Sequence, residues 1–100
     1  LKTTNPRELL QFYKEVLGQL LEYDEQNHAT LVHTLEVFLN HSGNVNQTAK
    51  ALNLSIPGFR YRMEKIESLL QEDMRTGDGR FRCHLALKIY YAIKTLENEK

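Results

Sequence analysis

The stretch from Gly43 to Ile66, GNVNQTAKALNLSIPGFRYRMEKI, limits the fold of this chain more than any other part of it. Asn44 is placed to cap a helix, with Gln47 three residues on to reach back in a capping box and Gly43 supplying permissive backbone just before. Val45, Ala49 and Leu52 then share one helical face. Ala49 is small enough for a second helix to cross closely. Leu52 and Leu54 bracket a turn, and Asn53 between them is the non-glycine residue best suited to a left-handed conformation. Ser55 caps the next helix, Pro57 falls in its first turn, and Phe59, Met63, Ile66 and Leu70 carry the apolar stripe onward. The spacing predicts helix, four-residue turn, helix.

If that stripe faces the core, steps of about 100° per residue turn Pro57, Arg60, Tyr61, Glu64 and Lys65 outward. A recognition helix offers such a face to the DNA major groove. An ordinary helical hairpin with a solvated charged face would show the same charges. Capping, crossing residue, turn residue and stripe all agree, which favours the helix-turn-helix.

The rest of the chain reads as helical too. Leu is abundant among 100 residues, Gly numbers 5 and Pro 2, and apolar residues recur at helical rather than strand spacing. An all-α domain of about five helices follows. The first runs from about Pro6, capped by Asn5, to Tyr23, with Leu9, Leu10, Phe12, Tyr13, Val16, Leu17, Leu20 and Leu21 covering more than one face. Such a helix is either central or packs also on a second copy of the chain. A second spans about Ala29 to Asn40, with Leu31, Leu35, Phe38 and Leu39 inward. After the motif, a loop around Arg75 to Gly79 leads to a last helix from about Arg80 to Leu96, with Phe81, Leu85, Leu87, Ile89 and Tyr90 available to the core. The expected organisation is an N-terminal helix and linker over residues 1–28, serving as a dimerisation element. A helix-turn-helix domain follows over 29–96, with its motif at 44–70, and a polar tail over 97–100 closes the chain.

Net charge is zero, which by itself argues against a polyanionic partner, but the charge is unevenly spread. Residues 1–44 hold three cations against six carboxylates, and the remainder therefore carries the opposite excess. Lys50, Arg60, Arg62 and Lys65 cluster on the motif, and Arg75, Arg80 and Arg82 form a second group beyond it. The acidic half would face away from a duplex.

Other chemistry finds little support. His28, His33, His41, Cys83 and His84 lack the spacing of a metal site, and neither a phosphate loop nor a nucleophile elbow occurs. No cofactor and no catalysis are expected. Cys83, the single cysteine, rules out an internal disulfide and fits a cytoplasmic setting; its thiol is either activated by Arg82 or buried and inert. No apolar run approaches the roughly 20 residues of a membrane span. The chain starts at Leu1 rather than Met, and it reads as a piece of something longer.

Four separated segments in order, LGQLLEYD (17–24), LVHTLEVFLNHSGNVNQTAKAL (31–52), FRYRMEKIESLL (59–70) and HLALKIY (84–90), carry a family resemblance. Over about residues 17–93 the chain resembles the C-terminal domain of bacterial purine-catabolism and sugar-diacid regulators, the PucR/CdaR type. The resemblance implies a transcriptional regulator with a Fis-like helix-turn-helix, used as a homodimer or higher homo-oligomer on double-stranded DNA. It also implies an effector sensed by an N-terminal region absent here. One departure stands out. Where the family shows a run of the type His, Arg, Asn, Thr, this chain has Ser55, Ile56, Pro57 and Gly58. Three hydrogen-bonding side chains are gone from positions where each base contact contributes roughly 1–3 kcal/mol of discrimination.

The expected contacts follow from position. Arg60 meets a base or phosphate, or pairs with Glu64 at i, i+4. Tyr61 bonds a phosphate or covers a neighbouring helix. Arg62 lies beside the core stripe and either contacts DNA or pairs with a carboxylate such as Glu36. Lys65 adds to the basic face; Ser55 bonds a phosphate or caps, and Ile56 touches a thymine methyl. Asn46, Gln47, Thr48 and Lys50 contact the sugar-phosphate backbone. The rival expectation is a degenerate helix-turn-helix, its base reading lost with Ile56, Pro57 and Gly58, serving oligomerisation or another protein.

Overall fold

The computed structural model describes residues 5–99, so the outer ends of the expected N-terminal unit and tail lie outside the described residues. Five helices follow one another: α1 (Pro6–Asn27), α2 (Leu31–Asn40), α3 (Val45–Ala51), α4 (Ile56–Leu70) and α5 (Gly77–Asn98). No strand occurs among the described residues. The fold is all-α, as the composition and spacing predict.

Local chemistry sets most helix ends. The Asn5 side chain accepts from the Arg7 N–H at 2.8 Å, with Pro6 opening α1. Helix α1 runs one turn past the expected Tyr23 and closes only where His28 turns left-handed at φ 50°. Helix α2 is capped from a distance. Its N-cap residue, Thr30, makes no side-chain capping bond; instead Leu31 and Val32 donate to the two oxygens of Asp24 at 2.9 and 2.8 Å. That carboxylate satisfies two of the orphan donors at the helix start and fixes the α1–α2 elbow.

The core forms where α1, α2, α4 and α5 meet. Leu17, Leu20, Leu35 and Ile66 are fully buried, each stabilising the fold by roughly 1.5–3 kcal/mol relative to an exposed side chain. Phe38 of α2 and Phe59 of α4 pack with ring centroids 5.7 Å apart. Helix α1 touches α2, α4 and α5, so its broad apolar surface is covered largely within the chain, while Leu10, Phe12 and Leu21 remain half-buried.

Helix α5 meets expectation in part: Leu87 is buried and Ile89 and Tyr90 pack against the core, but Phe81 and Leu85 do not. Its inner face is Gly79, Cys83, Ala86 and Leu87, whereas Phe81 and Leu85 are 69% and 38% exposed. The helix starts three residues early, at Gly77, with Thr76 as cap accepting from Gly79 N–H at 2.9 Å. An added Cβ at Gly79 would collide with the Asp73 carbonyl. Small side chains at 79, 83 and 86 let the preceding loop and α1 approach closely; Phe81 or Leu85 on that face would force them apart. Helix α5 also runs through residues 97 and 98, assigned by the sequence to a polar tail.

Candidate nucleic-acid interface

Helices α3 and α4 are joined by the four residues Leu52–Ser55. Asn53 adopts φ 60°, and the Leu54 N–H reaches back to the Ala49 carbonyl at 2.9 Å, closing α3. Ala49 is 2% exposed and lies between the helices as a small crossing residue must. Asn44 caps α3 by accepting from the Gln47 N–H at 2.8 Å, and Ser55 caps α4 by accepting from Gly58 N–H at 3.1 Å. Phe59, Met63, Ile66 and Leu70 form the buried stripe of α4. The helix-turn-helix is thus built as its residues predict, except that Gln47 does not reach back to complete a capping box: the Asn44 N–H donates to the His41 carbonyl at 3.0 Å instead.

On the outward face of α4, Arg60 is exposed and joins no ion pair among the described residues, its expected i, i+4 partner Glu64 included. Tyr61 beside it is 76% exposed, so it presents its ring and hydroxyl to solvent rather than covering a neighbouring helix. Lys65 is exposed, with its ammonium held 4.8 Å from the centroid of the Tyr23 ring, a cation–π contact that orients the side chain. Asn46, Gln47 and Lys50 are exposed on α3.

Four expected contacts need correcting or narrowing. Thr48 is fully buried, and its hydroxyl donates to the Asn44 carbonyl at 2.6 Å, so its side chain cannot meet a phosphate. It stands three residues from Val45 and four from Leu52, a spacing that places it on the apolar stripe. Ile56 is half-buried against the core, and the Ser55 hydroxyl is engaged as a cap. Arg62 does not pair with Glu36. Its Nη1 donates to Thr34 Oγ1 at 3.3 Å, while Glu36 accepts from the Tyr91 hydroxyl at 3.5 Å and sits 3.7 Å from His33. Thr34 and Glu36 are two residues apart on α2, about 200° around the helix, so an arginine reaching one cannot reach the other.

The second basic group is largely neutralised within the chain. Arg75 grips both oxygens of Asp73 at 3.0 Å, which holds that carboxyl below its ordinary range, and Arg82 pairs with Glu72 at 3.0 Å. Arg80 donates to the Met74 carbonyl at 2.9 Å and lies across Gly43. Cys83 is inert rather than activated: burial, seconded by Glu72 and opposed only by Arg82, pushes its thiol up to about 12.

Two depressions flank α4. The larger, of about 770 Å³, takes in Arg60 but also Glu64, Glu67, Glu72 and Asp73. The other, of about 450 Å³, lies between α4 and the α1–α2 elbow and has no carboxylate in its lining; His28 and Thr30 join Tyr61, Arg62 and Lys65 there. Neither His28 nor Thr30 carries a motif that would have marked it in the sequence.

The arrangement defines a helix-turn-helix domain of the kind that transcriptional regulators carry, and the comparison with known families agrees: residues 31–89, α2 through the first half of α5, match the PucR C-terminal helix-turn-helix domain. The chain belongs to that family. It is 30% identical over 77 residues to the DNA-binding transcriptional activator AdeR of Bacillus subtilis (strain 168), an alignment covering 77% of this chain and 18% of that protein. It is 34% identical over 82 residues to the purine catabolism regulatory protein of the same organism, covering 82% and 15%. With YsfB, again from Bacillus subtilis, identity is 36% over 59 residues, covering 59% and 15%. The chain therefore spans less than a fifth of the length of these relatives. No solved structure matches. Among the described residues, no helix is long and apolar enough to cross a membrane, and no group of three or more His, Cys, Asp or Glu could hold a metal ion.

Proposed function

We propose that this domain binds double-stranded DNA as part of a transcriptional regulator, with α4 entering the major groove. The observation that carries the reading is the side-by-side exposure of Arg60 and Tyr61 on the outer face of α4, with Arg60 free of any ion pair among the described residues. Arg60 reads a base edge or neutralises a phosphate, and Tyr61 and Lys65 bond the backbone. Asn46, Gln47 and Lys50, on α3, contact phosphates on the other side. Base reading is narrow, because Ser55 is spent as a cap, Ile56 is half-buried and Pro57 has no N–H. A single helix-turn-helix reaches few base pairs, so operator-level specificity calls for a homodimer or higher homo-oligomer. The great length of the relatives beyond the matched segment supports an effector-sensing region outside this chain.

The test is an equilibrium titration of the chain against random duplex at several salt concentrations. Affinity falls steeply as salt rises, and Arg60→Ala flattens the plot of log affinity against log salt by about one counterion. Absence of binding at the lowest salt would overturn the proposal and favour a protein-interaction role.

A further inference from the structure

We infer that the 450 Å³ cleft between α4 and the α1–α2 elbow is a phosphodiester site, which holds the DNA strand bordering the groove that α4 enters. The inference rests on the reading of α4 as the groove-entering helix and adds to it a second anchoring point, shared between that helix and the α1–α2 elbow.

Four features of the cleft converge on an anion. Arg62 and Lys65 stand on its α4 wall, and neither is paired with a carboxylate among the described residues. Both are held in place: Arg62 by its bond to the buried Thr34 hydroxyl, Lys65 by the Tyr23 ring. Cations already fixed by the fold lose less side-chain entropy on gripping a ligand than free ones do. Opposite them, the hydroxyl of Thr30 makes no capping bond, because Asp24 performs that task from the preceding helix. Asp24 turns its two oxygens onto backbone N–H groups, and Glu22 and Glu25, exposed on the last turns of α1, lie outside the cleft's lining. The acidic half thus meets the strand through its His28–Thr30 corner rather than facing wholly away from it. His28, at the left-handed end of α1, is exposed and adds a ring nitrogen to the same lining.

The contrast with the larger groove on the other flank is informative. That surface sets four carboxylates against three arginines, Arg60 among them, and is less favourable to a polyanion than the carboxylate-free cleft. For a duplex lying against α4, the more favourable flank for its strand is the side of Tyr61 and Lys65. The donors there are two cations and a neutral hydroxyl set by the backbone rather than by base-facing positions. Such a site tightens binding equally on every sequence and fixes how deeply α4 sits in the groove.

The experiment titrates the 100-residue chain and four variants against random-sequence duplex over a salt series. Lys65→Met, which keeps an apolar stem against Tyr23, should reduce the salt slope by about one. Thr30→Val removes only a hydroxyl that caps nothing; it should weaken binding roughly 3- to 10-fold at every salt concentration, with the slope and the melting temperature unchanged. Lys14→Met, at an exposed cation of α1 outside the cleft, should behave like the parent. If Lys65→Met and Thr30→Val bind like the parent while Arg60→Ala loses its counterion, the cleft assignment falls and the groove reading stands. A Lys14→Met slope as shallow as that of Lys65→Met would likewise overturn the assignment, as a sign of unlocalised charge. If the parent itself fails to bind at the lowest salt, both fall together.

Discussion

Replacing Asp24 by alanine probes the joint on which the α1–α2 elbow depends. Its carboxylate accepts from the Leu31 and Val32 N–H groups at 2.9 and 2.8 Å, and both residues are under a tenth exposed. Thr30 offers no substitute from the N-cap position, and water has poor access to donors beside buried side chains. Hydrogen bonds to a charged group contribute about 1.5–3 kcal/mol each, and loss of a helix cap costs about 0.5–2 kcal/mol. The carboxylate's own desolvation in the part-buried elbow offsets some of this. A net loss of about 2–3 kcal/mol is expected, equivalent to a fall in melting temperature of roughly 10–20 °C for a domain of this size. Asp24→Asn keeps one acceptor oxygen and should lose about half as much. Thermal and denaturant unfolding followed by circular dichroism measures both, with an unchanged denaturant slope showing that the unfolding reaction is the same. A shift of only about a degree for Asp24→Ala would show that α2 finds its cap elsewhere, and the account of the elbow would be wrong.

At the motif turn, Asn53→Ala places a Cβ-bearing residue without a locally bonding side chain at φ 60°, and it should cost about 1 kcal/mol, while Asn53→Gly should melt at or above the parent temperature. Denaturation midpoints of the two variants check the difference. Cys83, buried with its thiol pushed up to about 12, should resist thiol reagents in the folded chain and react at the rate of unfolding. Because the folded thiol holds its proton more tightly than the unfolded one, its stabilising effect is complete below about pH 8.5 and fades as pH climbs toward 12. Unfolding measured against pH for the parent and Cys83→Ala reads that difference; identical profiles would refute it.

The features legible in the residues alone are those whose causes lie within one helical turn. Asn5, Asn44 and Ser55 cap because a short polar side chain reaches an N–H two or three residues on. Asn53 marks the turn because few other residues accept its backbone angle, and Phe59, Met63, Ile66 and Leu70 declare the inner face of α4 because its opposite face is polar. Arg60 and Tyr61 followed by simple rotation from that stripe. Tertiary packing decided what periodicity leaves degenerate. Helix α5 is apolar on two faces, and the one turned inward is the one whose small residues, Gly79, Cys83 and Ala86, admit its neighbours. Asp24 caps a helix that begins seven residues later, and Arg62 finds a hydroxyl 28 residues away. The cleft of His28, Thr30, Arg62 and Lys65 exists only because an elbow and a helix distant in sequence are folded together. Local sterics and hydrogen bonding act over a few bonds and can be read from order alone, whereas choices between equally apolar faces, or among several acceptors, are settled by which atoms the folded chain brings within reach.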